Sequence, residues 1–327
     1  VSSTFQFSAV ERLFARLGLG PVRTVEPLSG GQLNTALRVD KEHVLRYREA
    51  PLATGSLKRE AAVLERLGGR IPAATVVTTG TDDLLGEFIV QKWVPGQNLL
   101  RAWLENPDVG AREYWIAQWL EAVRGIHDER FQQPGEFSDG LLKSYPSWRN
   151  YVEARIRKRL DLLMRVPAMD RELILVAERY VRRQAPVLED GPFCLIHRDL
   201  HFANVLVDGP NLTAILDFEL AEVGTPDYEL DTIFRFLRYP SFFAEPAVAA
   251  RVTPTRFASV WGRLKRGCPE MFQFRHLRER LCLYALDRDL SCLHQIYVGR
   301  PGSEQMANAT IRRLEEVLQG RYGPDEI

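Results

Sequence analysis

The chain opens on a helical pattern and then turns to short strands. Val10, Leu13, Phe14 and Leu17 recur at three- and four-residue spacing, which places them on one face of a helix over 8–17. Ser8 with Glu11 reads as its capping box and Gly18 as its stop. Runs at 22–28, 35–39 and 43–48 have the length and make-up of strands, with Ser29, Gly30 and Gly31 as the turn between the first two. Leu57, Ala61, Leu64 and Leu67 define a second helix over 57–67, followed by strands near 74–79 and 87–93. Pro95-Gly96 interrupts the chain, and from Leu99 onward helical spacing prevails. The pattern predicts a bilobal α+β protein. Residues 1–95 form a small antiparallel-sheet lobe, and 96–327 a larger, mainly helical lobe with a helical insertion over about 100–190.

Two features of this pattern carry charge. Glu60 lies inside the apolar stripe of the 57–67 helix, where a carboxylate is costly unless paired. The 43–48 strand offers Arg46 as the partner; the pair has a purpose if the guanidinium also meets phosphate, and is otherwise a structural ion pair. Farther on, Trp115, Trp119, Val123 and Ile126 share one helical face, and Val152, Ile156, Leu160 and Leu163 another. The second of these helices bears Arg155, Arg157, Lys158 and Arg159, which read as a solvated face rather than an anion-binding patch.

The most specific chemistry lies between Cys194 and Glu219. An apolar run from Phe193 to Ile196 leads into His197, Arg198 and Asp199, with Asn204 five residues later. A second apolar run, Leu212 to Leu216, delivers Asp217. Two neighbouring strands would gather these three oxygen-bearing side chains into one small volume. Phosphoryl transfer uses such a set: Asp199 to accept a hydroxyl proton, and Asn204 with Asp217 to hold Mg2+ on nucleotide phosphates. A polar turn between buried strands is the plainer alternative. Ser29, Gly30 and Gly31 would add backbone N–H groups that approach phosphate oxygens with no Cβ in the way.

Composition narrows the partners. At 327 residues the chain has room for two lobes, and its 43 basic residues equal its 43 acidic ones, so nucleic acid is not expected as a partner. No run approaches the length of a membrane span and no signal-peptide pattern opens the chain, so no membrane partner and a cytoplasmic location are expected. Cys194, Cys268, Cys282 and Cys292 form no CxxC pair and read as reduced thiols. Arginine outnumbers lysine 37 to 6.

Taken in order, the LSGGQLN turn, VLR around Arg46, KRE ending at Glu60, FIVQKWVPG, HRDLHFAN, ILDFE and GTPDYELD resemble the aminoglycoside phosphotransferase and choline kinase group. These are small-molecule kinases with the protein-kinase fold, and the resemblance spans Leu28 to about Phe236. It implies a nucleotide-dependent O-phosphotransferase using ATP, with GTP as the alternative, together with Mg2+. It matches Asp199 to the catalytic base, Asn204 and Asp217 to the metal ligands, and Glu60 to the partner of the phosphate-binding cation. Backbone groups near Lys92 and Val94 would meet the base of the nucleotide. Eight residues between Asp217 and Pro226 are too few for the activation loop of a protein kinase. The sequence departs from the group's pattern at Arg46, where lysine is usual, at Arg198, where glycine is common, and at Glu229, where aspartate usually braces the catalytic loop.

Glu222, Asp227, Glu229 and Asp231 crowd four acids into ten residues, and Asp287 and Asp289 add two more. From these, Glu222, Asp227 and Asp231 are expected to line a pocket for an amine-bearing alcohol such as an aminoglycoside. The competing reading is caps and surface acids. The expected partner is thus a small hydroxyl-bearing substrate, with the protein a monomer or homodimer. Arg46 and Glu229 also motivate an alternative from another class, a nucleotide-binding pseudokinase or regulatory module.

Overall fold

The computed structural model describes residues 3–28, 34–48, 55–138, 141–244, 246–298 and 304–324. The expected turn at Ser29, Gly30 and Gly31 lies outside the described residues. The first helix, α1 (Ser3–Arg16), begins earlier than the pattern suggested. Phe7 packs ahead of Val10 on the same core and extends the stripe back a turn, so Ser8 sits inside the helix and its carbonyl accepts from Arg12 Nε at 3.3 Å. The capping-box reading of Ser8 and Glu11 is therefore corrected.

Strands β1 (Val25–Pro27), β2 (Thr35–Val39) and β3 (His43–Arg48), helix α2 (Leu57–Leu67), and strands β4 (Val76–Asp82) and β5 (Gly86–Lys92) follow. The five strands form one antiparallel sheet in the order β1-β2-β3-β5-β4. The period of two on β3 turns Leu45 and Tyr47 toward the core under α1, and Arg46 toward the opposite face. On that face Leu57 and Ala61 of α2 pack against Ile89. Ser56 caps α2 by accepting from Arg59 N–H at 3.3 Å, and Gly68, at φ 54°, ends it.

The link to the rest of the chain passes through Gly96. Its φ of 128° excludes most side chains, and an added Cβ would lie 2.6 Å from the Val207 carbonyl oxygen. That close approach lets β6 (Gln97–Asn98) pair with a later strand. Helices α3 (Leu99–Glu105) and α4 (Val109–His127) follow, and then three short strands: β7 (Arg130–Phe131), β8 (Gly135–Ser138) and β9 (Leu141–Ser144). These strands interrupt the insertion expected to be helical over 100–190. Each is too short to leave a periodic signal, and Gly135 lies so close to the Lys143 carbonyl that no Cβ fits.

Helices α5 (Trp148–Met164) and α6 (Arg171–Gln184) lead to strands β10 (Phe193–Ile196), β11 (Val205–Asp208), β12 (Asn211–Ile215) and β13 (Glu222–Gly224). The sheet β12-β11-β6 and the sheet β7-β10-β13-β8-β9 flank the catalytic loop. The chain closes with α7 (Glu229–Arg238), α8 (Pro246–Ala249), α9 (Ala258–Gly267), α10 (Leu277–Tyr297) and α11 (Glu304–Leu318). Trp103, Trp119, Phe202, Phe236 and Phe257 meet ring to ring beneath the loop, which anchors Phe202 between Asp199 and Asn204. The folded architecture is the α+β, kinase-like arrangement expected, with an antiparallel N-terminal sheet and a helical C-terminal part.

Gly96→Ala is expected to lower the unfolding free energy by roughly 1–3 kcal/mol, because both the backbone and the Val207 contact oppose a side chain. Urea unfolding checks this, and an unchanged midpoint would contradict it.

Candidate active site

The loop after β10 is held by hydrogen bonds within itself and by others to Leu216 and Glu229, farther along the chain. The His197 ring bonds the Leu216 carbonyl through Nε2 at 2.8 Å and accepts the Asp199 N–H at Nδ1, 3.2 Å away. His197 thus holds the loop through its ring. The Glu229 carboxylate, at the start of α7, accepts the N–H groups of His197 and, at 3.0 Å, of Arg198. Glu229 braces the loop although aspartate is usual at its place. Arg198 sits at φ 68°, which accounts for glycine being common at its place.

Asn204 donates through Nδ2 to the Asp199 carbonyl at 3.0 Å and to Asp199 Oδ2 at 3.1 Å. Leu216 N–H donates to the Asn204 carbonyl at 2.8 Å, tying the next residue, Asp217, to the same loop. Asp217 stands at φ 69°, ψ 56°, a left-handed conformation that sharply turns the chain after β12. Burial pushes the Asp199 carboxyl up, but His201, Arg288 and His197 outweigh it and hold the group well below the ordinary carboxylate range. His201 lies 3.4 Å from Asp199 Oδ2, with its ring packed on Phe243.

From the N-terminal sheet, Arg46 spans Glu60 at 2.5 Å and Asp217 at 2.7 Å. Gln91 steadies Glu60 through a 3.0 Å bond from Nε2 to the other carboxylate oxygen. Burial pushes the Glu60 carboxyl up while Arg46 opposes it. Burial alone would lower the Arg46 guanidinium, but Glu60, Asp217 and Glu219 raise it and keep it charged. Lys92 ends β5, and its N–H donates to the Thr75 carbonyl at 2.8 Å, so that amide is already engaged; Val94 follows in the link toward Gly96.

A second guanidinium was not singled out from the sequence. Arg48 pairs with Glu219, two residues after Asp217, and donates to Asn34 Oδ1 at 2.8 Å; Asn34 in turn donates to Glu219 at 2.9 Å. The sequence held little signal for it, since an arginine at a strand end is ordinary and its partner Glu219 lies 171 residues away.

A family model described as the phosphotransferase enzyme family matches residues 24–264. The chain belongs to that family. No curated protein matches the sequence. Among solved structures, aminoglycoside phosphotransferase APH(4)-Ia superposes with a TM-score of 0.71 at 21% identity, covering 97% of this chain and 99% of the other. A thermostable variant of that protein in complex with ADP and hygromycin B gives 0.69 at 20% identity, covering 97% of this chain and 100% of the other. Aminoglycoside 2'-phosphotransferase-IIIa in complex with GDP gives 0.63 at 17% identity, covering 98% and 100%. At these identities the likeness establishes the fold.

The phosphotransferase does not present the acid-lined pocket expected of it. Glu222, Asp227 and Asp231 are 1%, 0% and 2% exposed, and arginines neutralise all three. Glu222 binds Arg155 and, at 2.9 Å, Arg198, and accepts from Tyr151 Oη at 2.8 Å. Asp227 takes Arg280 at 2.6 Å and Tyr284 Oη at 2.9 Å. Asp231 takes Arg235 at 2.9 Å, Arg288 at 3.2 Å and Tyr322 Oη at 2.6 Å. Asp287 meets Arg155 at 2.9 Å, Arg198 at 3.4 Å and also Arg159, while Asp289 meets Arg235 at 2.7 Å and Arg313 at 3.0 Å. These carboxylates hold the lobe together instead of facing a cationic ligand. The same contacts correct the solvated-face reading of α5: Arg155 and Arg159 point inward, and Arg157 and Lys158 remain exposed.

The donor set fits Mg2+, which takes one or two protein oxygens beside phosphate and water. With Nδ2 of Asn204 committed to Asp199, its Oδ1 is the atom left to coordinate, and Asp217 supplies a carboxylate. Among the described residues no group of three His, Cys, Asp or Glu side chains is placed to hold a metal by itself. No helix of the described residues is long and apolar enough to cross a membrane.

Burial pushes the Asp287 and Asp289 carboxyls up, but Arg155 with Arg159, and Arg235 with Arg313, overcome it and depress both. A depressed folded-state value means that stability is complete above the ordinary carboxylate range, near pH ~4, and is lost as pH falls below it. Asp287→Asn, which leaves Arg159 without its carboxylate and Arg155 and Arg198 with Glu222 alone, is expected to cost about 3–5 kcal/mol at neutral pH and to flatten the acid limb. Urea unfolding from pH 7 to pH 3 checks both; an unaltered acid limb would contradict the assignment.

Proposed function

We propose that the chain is an ATP-dependent O-phosphotransferase in which Asp199 is the catalytic base. The observation that carries this reading is the convergence of Asp199, Asn204 and Asp217 through bonded loops, with Arg46 of β3, itself paired with Glu60 of α2, reaching Asp217 from the N-terminal sheet. Asp199 receives the proton of an acceptor hydroxyl as its oxygen bonds the terminal phosphorus. The bond from that phosphorus to the bridging oxygen breaks, and the electron pair leaves on the nucleoside diphosphate. Arg46, held charged between Glu60 and Asp217, turns part of its fork to the α and β phosphates. Mg2+, held by Asn204 and Asp217, would neutralise charge on the β and γ phosphates. Ser29, Gly30 and Gly31, which lie outside the described residues, and the backbone near Lys92 and Val94 other than the engaged Lys92 amide would complete the nucleotide side. GTP in place of ATP remains an arm of the test.

The acceptor is a small-molecule alcohol. The acids that argued for an amine-bearing acceptor are consumed in ion pairs, so an aminoglycoside stands here on the fold of its neighbours alone. The test offers labelled ATP or GTP with hygromycin B, kanamycin, a choline-like alcohol, homoserine and neutral sugars. Label on one of these alcohols supports the reading. Asp199→Asn is expected to lower transfer by about 10²–10⁴-fold while leaving the melting temperature and nucleotide binding intact. Nucleotide binding with no transfer and no hydrolysis in the native protein would favour the regulatory-module reading, whose motive is Arg46 in place of lysine together with Glu229.

Arg46→Lys is expected to fold and to keep turnover, with nucleotide affinity altered by less than about tenfold; Arg46→Ala is expected to lose more than that, because Glu60 is left buried and unpaired. Calorimetric titration with Mg-ADP separates the two.

A further inference from the structure

The two oxygens of Asp199 have different surroundings. Oδ2 is engaged by Asn204 Nδ2 at 3.1 Å and lies 3.4 Å from His201 Nε2. Oδ1 faces Arg288, whose Nη1 is 3.5 Å away. That separation is too long for a firm hydrogen bond, and it suits a third atom shared by both groups.

Arg288 is placed with care. It rides on α10 between Asp287 and Asp289, both fully buried in ion pairs that face different neighbours and fix the rotation of the helix. Its Nε holds Asp231 at 3.2 Å, and its Nη2 donates to the Arg198 carbonyl and to Thr232 Oγ1. Thr232 donates to the same carbonyl at 3.0 Å. Three donors thus lock the guanidinium plane, and Nη1 is the end that reaches the base. The side chain is 19% exposed, against 1% or less for Asp287 and Asp289.

We propose that Arg288 is a catalytic residue that forms, with Asp199 Oδ1, a two-point cradle for the acceptor hydroxyl. This rests on Asp199 being the base. In the cradle the hydroxyl donates its proton to Oδ1 and accepts an N–H of Nη1 on one lone pair, and its other lone pair attacks phosphorus. As the O–P bond forms, the proton passes to Asp199, the bond to the bridging oxygen breaks, and the diphosphate leaves with the electron pair. The guanidinium keeps its proton throughout and steadies the negative charge that builds on the attacking oxygen. An attacking amine has one lone pair and cannot use both points, so the cradle selects oxygen over nitrogen. A cation next to the reacting hydroxyl is repelled by Nη1.

The test compares Arg288→Ala and Arg288→Lys with the native protein, using Mg-ATP with water as acceptor and with each alcohol of the panel that takes label. The expected result for Arg288→Ala is a fall in kcat of about 10²-fold, with the Kd for Mg-ADP unchanged, as for removal of one donor at a developing oxyanion. Guanidinium ion added to that variant restores part of the turnover, which a purely structural arginine would not allow. Arg288→Lys keeps the charge near Asp231 but cannot span Asp231 and Oδ1 together, so it loses about tenfold or more. Turnover within about threefold of native in either folded variant overturns the proposal, as does a loss that follows nucleotide affinity or that guanidinium fails to relieve. If Arg288→Ala does not fold, Arg288→Lys decides alone. Failure of the broader reading looks different: Asp199→Asn then keeps its activity, whereas here Asp199→Asn is inactive and only the Arg288 variants are unaffected.

Discussion

The interior of the C-terminal part buries a set of carboxylates, and guanidinium groups meet each of them there. Glu222, Asp227, Asp231, Asp287 and Asp289 are all buried, and Arg155, Arg159, Arg198, Arg235, Arg280, Arg288 and Arg313 supply the opposite charge. Several of these arginines serve more than one acid: Arg198 spans Glu222 and Asp287, and Arg235 spans Asp231 and Asp289. A planar fork with five donors can bridge in this way, and a lysine ammonium on a single flexible stem cannot do so as well. The excess of arginine over lysine, 37 to 6, therefore has a structural use in this chain. Removing one member leaves its partners buried with fewer opposite charges than before, and where the pair is single, as for Asp227 and Arg280, it leaves the mate alone, which is the costly case for buried charge.

The network explains how a loop with a left-handed arginine is held still. Arg198 at φ 68° puts its side chain down into Glu222, Tyr228 and Asp287, while its N–H is held by Glu229 and its carbonyl by Thr232 and Arg288. Every polar group of its backbone is thus bonded, and Asp199, the next residue, inherits a fixed direction. Strain at that position is offset by bonds that span α5, α7 and α10. Without an activation loop, charge already present in the fold does what an added phosphate would otherwise have to do.

Much of this was legible in the sequence, and the failures have physical causes. Helix α2, strands β2 and β3, and the Asp199, Asn204 and Asp217 set followed from periodicity and spacing, because each is local. Glu60 was found because it violates an apolar stripe, and its partner lies on the adjacent strand. The short strands β7 to β9 were missed because a pair of two to four residues is made by its neighbours, not by its own pattern. The acids from Glu222 to Asp231 were misread for a related reason. Their partners lie up to about 90 residues away, on α5, α10 and beyond, so a window of sequence displays the negative charge and hides what cancels it.

Arg46 is where the two halves of the molecule meet chemically. One guanidinium end holds Glu60 and the other holds Asp217, and Arg48 repeats the crossing a strand position later with Glu219. In the proposed reading, a metal held by Asp217 would share that carboxylate with Arg46, which already contacts it at 2.7 Å. An ammonium in place of Arg46 would reach one carboxylate at a time and yield easily; the fork holds both at once and yields only by half. What releases Asp217 also frees one side of the guanidinium to turn toward phosphate, so the exchange replaces one charged contact with two. The arginine that departs from the pattern thus bridges Glu60 and Asp217 at once, and in the proposed reading it would keep the first while giving up the second.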